Sequence, residues 1–187
     1  MMNSESKSSK SEQNLSASIG LFCDDYNSLG QFQSVLAESM PRDFQTLLNH
    51  EHHMTVTVEA FHESKVDLTV LDSQLHDDYY ARKILLSCQS DGRIVQFGIV
   101  RLDLSVLGAQ LREEICEARV PLGRLLIQHN VLRSVQLAEL WKVAAGRELC
   151  QYMHLNYPST TFGRSAFIIC NGERAIELLE IVTPTSF

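Results

Sequence analysis

Two dipeptides do most to limit how this chain can fold: Asp91-Gly92 and Asn171-Gly172, each set between runs of apolar residues. Such pairs supply the positive-φ positions of tight turns, so each predicts an antiparallel hairpin. The first joins Ala81 to Cys88 with Ile94 to Leu104, and the second joins Phe162 to Cys170 with Ala175 to Thr183. Alternation with period two also runs through Met54, Val56, Val58 and Ala60, then through Val66, Leu68 and Val70, predicting two more strands linked by His62 to Lys65. Val135, Leu137, Trp141 and Val143 share one alternating face and favour strand.

Helical spacing appears elsewhere. Phe32, Val35 and Leu36, then Phe44, Leu47 and Leu48, predict two short helices broken at Met40-Pro41. Leu104, Leu107, Leu111 and Ile115 predict another, and Pro121 opens one with Leu122, Leu125 and Leu126 on its inner side. The class is α+β, with about six mainly antiparallel strands and helices inserted between them. No strict strand–helix alternation and no Gly-rich loop after a strand supports a doubly wound parallel sheet.

The expected organisation is a Ser-rich disordered tail over 1–19, which carries almost nothing to bury, followed by a single domain over 20–187. With 187 residues, 44% of them apolar, the chain can enclose a pocket without disulfides. Sixteen Lys and Arg against 23 Asp and Glu give a net charge of −7, poor material for a nucleic-acid interface. The longest apolar run, Ala166 to Cys170, is far too short for a membrane helix, and no apolar stretch follows Lys7 and Lys10 as a secretory signal would require. A cytoplasmic protein is expected, and the surface composition demands no more than a monomer. The five cysteines form no Cys-x-x-Cys pair and read as small apolar residues.

Charges inside the strands are the functional signal. Arg82 alternates with Ile84, Leu86 and Cys88, Arg164 with Ala166, Ile168 and Cys170, and Glu180 lies among Leu178, Leu179, Ile181 and Val182. A buried guanidinium requires an anion, and a buried carboxylate a donor or a proton. Singly, each fits an internal ion pair; together, on neighbouring strands, they fit a small anionic ligand. Arg101, in phase with Phe97 and Ile99, is a further candidate cation or a rim residue beside Asp103. His50, Glu51, His52 and His53 lack His-Glu-x-x-His spacing and read as a loop, so no metal site is expected. No Gly-x-Ser-x-Gly elbow supports covalent catalysis. Gly123 permits close backbone approach at a helix start.

Four segments, Tyr80 to Leu86, Pro121-Leu122-Gly123-Arg124, Phe162-Gly163-Arg164-Ser165 and Glu180 to Pro184, resemble in order and spacing the motifs of the chorismate lyase family (chorismate pyruvate-lyase, or 4-hydroxybenzoate synthase). The resemblance covers about Met54 to Pro184 and is nearest to the divergent chorismate-lyase-like branch, given extra residues around Gly146 to Thr160 and in the Ser90 to Gly92 turn. It implies an antiparallel sheet with helical flaps over an enclosed pocket. It also implies cofactor-free conversion of chorismate to 4-hydroxybenzoate and pyruvate, as for quinone or other aromatic biosynthesis. In that comparison Arg82 matches the arginine on the ring carboxylate, Glu180 the carboxylate near the ligand hydroxyl, and Met54 and Leu122 positions touching the ligand through their backbones. Arg164 falls in a Gly-Arg motif with no contact assigned, leaving it or Arg101 as the second carboxylate-binding cation. The same architecture resembles effector-binding domains of bacterial transcription regulators, which implies the alternative of a non-catalytic binder of aromatic acids.

Overall fold

A computed structural model describes residues 3–183, with side chains from Lys10 onward. Residues 1–2 and 184–187, including Pro184 of the last motif, lie outside the described residues. Seven strands form one antiparallel sheet: β1 (Gly30–Ser34), β2 (Val66–His76), β3 (Tyr79–Cys88), β4 (Ile94–Asp103), β5 (Arg133–Ala145), β6 (Ser159–Cys170) and β7 (Glu173–Val182), in the spatial order β1-β5-β6-β7-β4-β3-β2. Six α-helices accompany them: α1 (Asn3–Gly20), α2 (Arg42–Leu48), α3 (Met54–Phe61), α4 (Ala109–Glu117), α5 (Leu122–Gln128) and α6 (Arg147–Tyr152). The fold class is α+β, as the hairpin signals predict, and both expected hairpins pair as β3-β4 and β6-β7.

Several local expectations are corrected. Met54 to Ala60 is not a strand but most of α3, whose buried residues Met54, Thr55 and Val58 follow one helical face; the β-branched alternation there is incidental to burial. His62 to Lys65 accordingly joins a helix to β2, whose actual hairpin partner is β3. Phe32 lies in β1, an edge strand paired with β5, instead of in a helix. The Ser-rich segment expected as a tail is α1, anchored by Leu15 and Ile19, which are 2% and 0% exposed. Among the described residues the sheet has seven strands, in keeping with the expected count of about six, β1 being the additional edge strand. A bulge between Leu137 and Glu139 reverses the alternation of β5, so Val135 and Trp141 pack on opposite faces. Cys116 is exposed, whereas Cys88, Cys150 and Cys170 are buried.

Helices cover both faces of the sheet. On one face α1 and α6 close a core around Leu15, Ile19, Phe97, Ile99, Trp141, Leu149 and Ile181. On the other, α4 and α5 pack over Leu102, Ile168 and Ile176, while α2 and α3 pack over Ile84, Leu86 and Val182. These last two cores leave a cavity between them.

Candidate ligand cavity

Register places the cavity floor in rows. Residues two apart on a strand share a face, about 7 Å apart along the strand. Tyr80, Leu102, Ile176, Ile168 and Val135 are aligned across β3, β4, β7, β6 and β5. The next row is Arg82, Val100, Leu178 and Ala166, then Ile84, Gly98, Glu180 and Arg164, then Leu86, Gln96, Val182 and Phe162. The cavity rests on the middle of this face and is roofed by His52, His53, Met54 and Thr55 at the start of α3 and by Pro121, Leu122 and Gly123 at the start of α5. Its volume is about 40 Å³, room for a few water molecules, so the roof sits low on the sheet.

Six candidates from the sequence, Met54, Arg82, Leu122, Gly123, Arg164 and Glu180, line this one cavity. Arg101 does not. Its phase with Phe97 and Ile99 turns it to the opposite face, where it pairs with Glu177 at 3.9 Å and stacks on Tyr79. The cavity face of β4 is instead Gln96, Gly98 and Val100.

The two buried arginines differ in their partners. Arg164 donates from Nε to Glu180 Oε2 at 2.7 Å, from Nη1 to the His50 carbonyl at 2.9 Å and to His50 Nδ1 at 3.2 Å, and from Nη2 to the His52 carbonyl at 3.2 Å. Its charge is matched by Glu180 and its donors hold the 50–52 loop on the sheet. Arg82 is only 1% exposed, yet its Nε and Nη1 have no hydrogen-bond partner among the described residues. Burial lowers its pKa, countered in part by Tyr80. An unmatched buried guanidinium with free donors is a receptor for an anion.

Gln96, which sequence reasoning passed over, lines the cavity at 3% exposure and donates from Nε2 to Glu180 Oε1 at 3.5 Å. Its Oε1 is buried without a partner. A polar residue on the inward face of a strand that otherwise reads Gly98, Val100 and Leu102 was the available signal.

The roof is tied together by charge. Arg124 of α5 pairs with Glu59 of α3, which also meets Lys65 at 2.8 Å. Gly123 permits the approach of the helices, since a Cβ there would lie 3.2 Å from His53 Cβ and 3.3 Å from Thr55 Oγ1. His53 Nε2 accepts from Arg133 Nε at 2.5 Å, at the boundary with an outer cavity of about 620 Å³ lined by Val56, Leu132, Arg133 and Ser134. Burial, then the Arg164 charge, lowers the pKa of His50 to about 4; burial and Arg133 do the same for His53. Both imidazoles are therefore neutral at pH 7 and act as acceptors toward arginine. Among the described residues no group of three or more His, Cys, Asp or Glu is arranged to hold a metal ion, and no helix is long and apolar enough to cross a membrane.

No protein-family profile and no curated protein matches the sequence. Solved structures do match in fold. The effector domain of PhnF from Mycobacterium smegmatis is similar with a TM-score of 0.53 at 9% identity, over 70% of this chain and 88% of that domain. The longer PhnF structure from the same organism is similar with a TM-score of 0.52 at 9% identity, over 70% of this chain, and the match spans only 63% of that chain. A ligand-binding domain from Bordetella bronchiseptica, of a regulator assigned to the GntR family, gives 0.48 at 11% identity, over 64% of this chain and 86% of that one. The chain has the α+β fold of these regulator effector domains, which is the chorismate lyase-like fold.

Proposed function

We propose that this chain binds a small organic acid in the cavity, with Arg82 receiving the carboxylate. The observation that carries this reading is the buried guanidinium whose Nε and Nη1 have no partner. A carboxylate on Nη2 together with Nε, or on Nη2 together with Nη1, forms the bidentate fork, neutralises the charge and satisfies one of these two donors. The apolar walls, Met54, Ile84, Val100, Leu122 and Leu178, suit a hydrocarbon or aromatic body. The shared fold of regulator effector domains is consistent with such a binder. Because about 40 Å³ is too small for such a molecule, binding requires α3 and α5 to part at Gly123 and His53.

A second reading is chorismate pyruvate-lyase, favoured because Arg82 and Glu180 line one cavity in the order of that family's motifs. Loss of pyruvate makes the ring aromatic, so the protein's residues would only desolvate, orient and stabilise developing charge. Arg82 would hold the ring carboxylate and Glu180 the ring hydroxyl, with no cofactor. Chorismate is a dianion, however, and Arg164 is already matched by Glu180. Its second carboxylate would have to reach Arg133 at the outer boundary.

Incubation of the purified protein with chorismate, following pyruvate and 4-hydroxybenzoate together, separates the two readings. The binding reading predicts no turnover and a raised melting temperature with benzoate or 4-hydroxybenzoate, lost in Arg82→Met. Equimolar product formation abolished by the same substitution establishes the lyase. Neither turnover nor stabilisation by any aromatic acid refutes both.

A further inference from the structure

The unpaired atoms around the cavity specify more than an acid. Arg164 and Glu180 cancel, so the buried side chains leave one net positive charge, that of Arg82. That balance fits a monoanion; a second buried negative charge would have no counter-ion. At the other end lies Gln96, two rows from Arg82 on the same face. A carboxylate only accepts, so the amide must turn its nitrogen to Glu180, and its carbonyl is left as an acceptor with nothing to accept from. Glu180 Oε1 is itself engaged only by that 3.5 Å contact, since Arg164 takes Oε2. Two acceptors therefore sit together at this end of the cavity. A hydroxyl carries one hydrogen and answers one of them; a primary amine carries two.

We propose that the cavity selects an amino-substituted aromatic monocarboxylate, its carboxylate on Arg82 and its amine shared between Gln96 Oε1 and Glu180 Oε1. Gln96 is then the residue that sets specificity. This rests on the reading of Arg82 as a carboxylate receptor, and goes beyond it by naming the group at the far end.

The test is calorimetric titration of the full chain with benzoate, 4-hydroxybenzoate, and 3- and 4-aminobenzoate, repeated on Gln96→Met, whose folding is checked by its unfolding midpoint. The expected result is that at least one aminobenzoate binds about tenfold or more tighter than benzoate, with 4-hydroxybenzoate between them, as desolvated acceptors gain partners. In Gln96→Met the preference disappears: the ratio of aminobenzoate to benzoate affinity falls to within about threefold of one. Equal affinities for benzoate and both aminobenzoates, or a preference that survives in Gln96→Met, overturn the proposal and leave the acid site standing. Failure of every acid to bind the wild-type chain overturns the acid site and this inference with it.

Discussion

Arg82→Met gives the sharpest prediction, because it should improve stability while destroying binding. The Arg82 guanidinium is 1% exposed, and two of its nitrogens lack partners among the described residues. Each buried donor nitrogen left without an acceptor costs about 1–3 kcal/mol, so the two cost about 2–6 kcal/mol relative to an apolar side chain. Methionine is unbranched, reaches in the same direction and contacts the same walls, though it fills less volume and leaves a small void. Even replacing a buried ion pair by apolar residues of similar volume is often neutral or stabilising by about 1–4 kcal/mol. A net gain of about 2 kcal/mol is the expectation, which at this chain length raises the melting temperature by about 4–8 °C. The assay is urea and thermal unfolding in a buffer free of carboxylates, with and without benzoate. Wild type should be stabilised by benzoate and Arg82→Met should not be. A ligand-free Arg82→Met that is less stable than wild type by more than about 1 kcal/mol would refute the reasoning, since it would mean that Arg82 has compensating partners in the folded protein.

Three other perturbations test the scaffold. His50 and His53 have folded pKa values lowered to about 4 against 6.5, so their contribution is complete above about pH 6.5 and is lost as pH falls toward 4; the melting temperature should drop over that window, and less steeply in His50→Gln. Gly163→Ala places a Cβ 2.7 Å from the Glu180 carbonyl oxygen, a backbone clash that should cost about 1–3 kcal/mol in urea unfolding and weaken ligand binding through the displaced Arg164–Glu180 pair. Leu15→Ala should cost about 2–5 kcal/mol if α1 is packed as described, whereas a disordered tail would leave unfolding unchanged.

The parts legible in the sequence are those where one face of a strand is buried and the turn is unambiguous. Asp91-Gly92 and Asn171-Gly172 located β3-β4 and β6-β7, and the charges embedded there, Arg82, Arg164 and Glu180, meet at one cavity because those four strands are neighbours. Elsewhere tertiary packing overrode the local pattern. Met54 to Ala60 alternates like a strand, yet the segment roofs the cavity and buries a helical face instead. The Ser-rich α1 carries few apolar residues, and among its described residues the buried Leu15 and Ile19 distinguish it from a solvated tail. Arg101 was in phase with apolar neighbours, but phase alone does not say which side of a two-sided core holds the ligand. The difference between the two arginines was also beyond sequence reading, because Arg164 is matched by Glu180 and by carbonyls of a loop more than a hundred residues away.

The central claim is that Arg82 is a carboxylate receptor. Calorimetric titration of benzoate into wild type and Arg82→Met tests it most directly: the account predicts one saturable site per chain in the wild type and no measurable heat of binding in Arg82→Met. Equal binding to both proteins would contradict it.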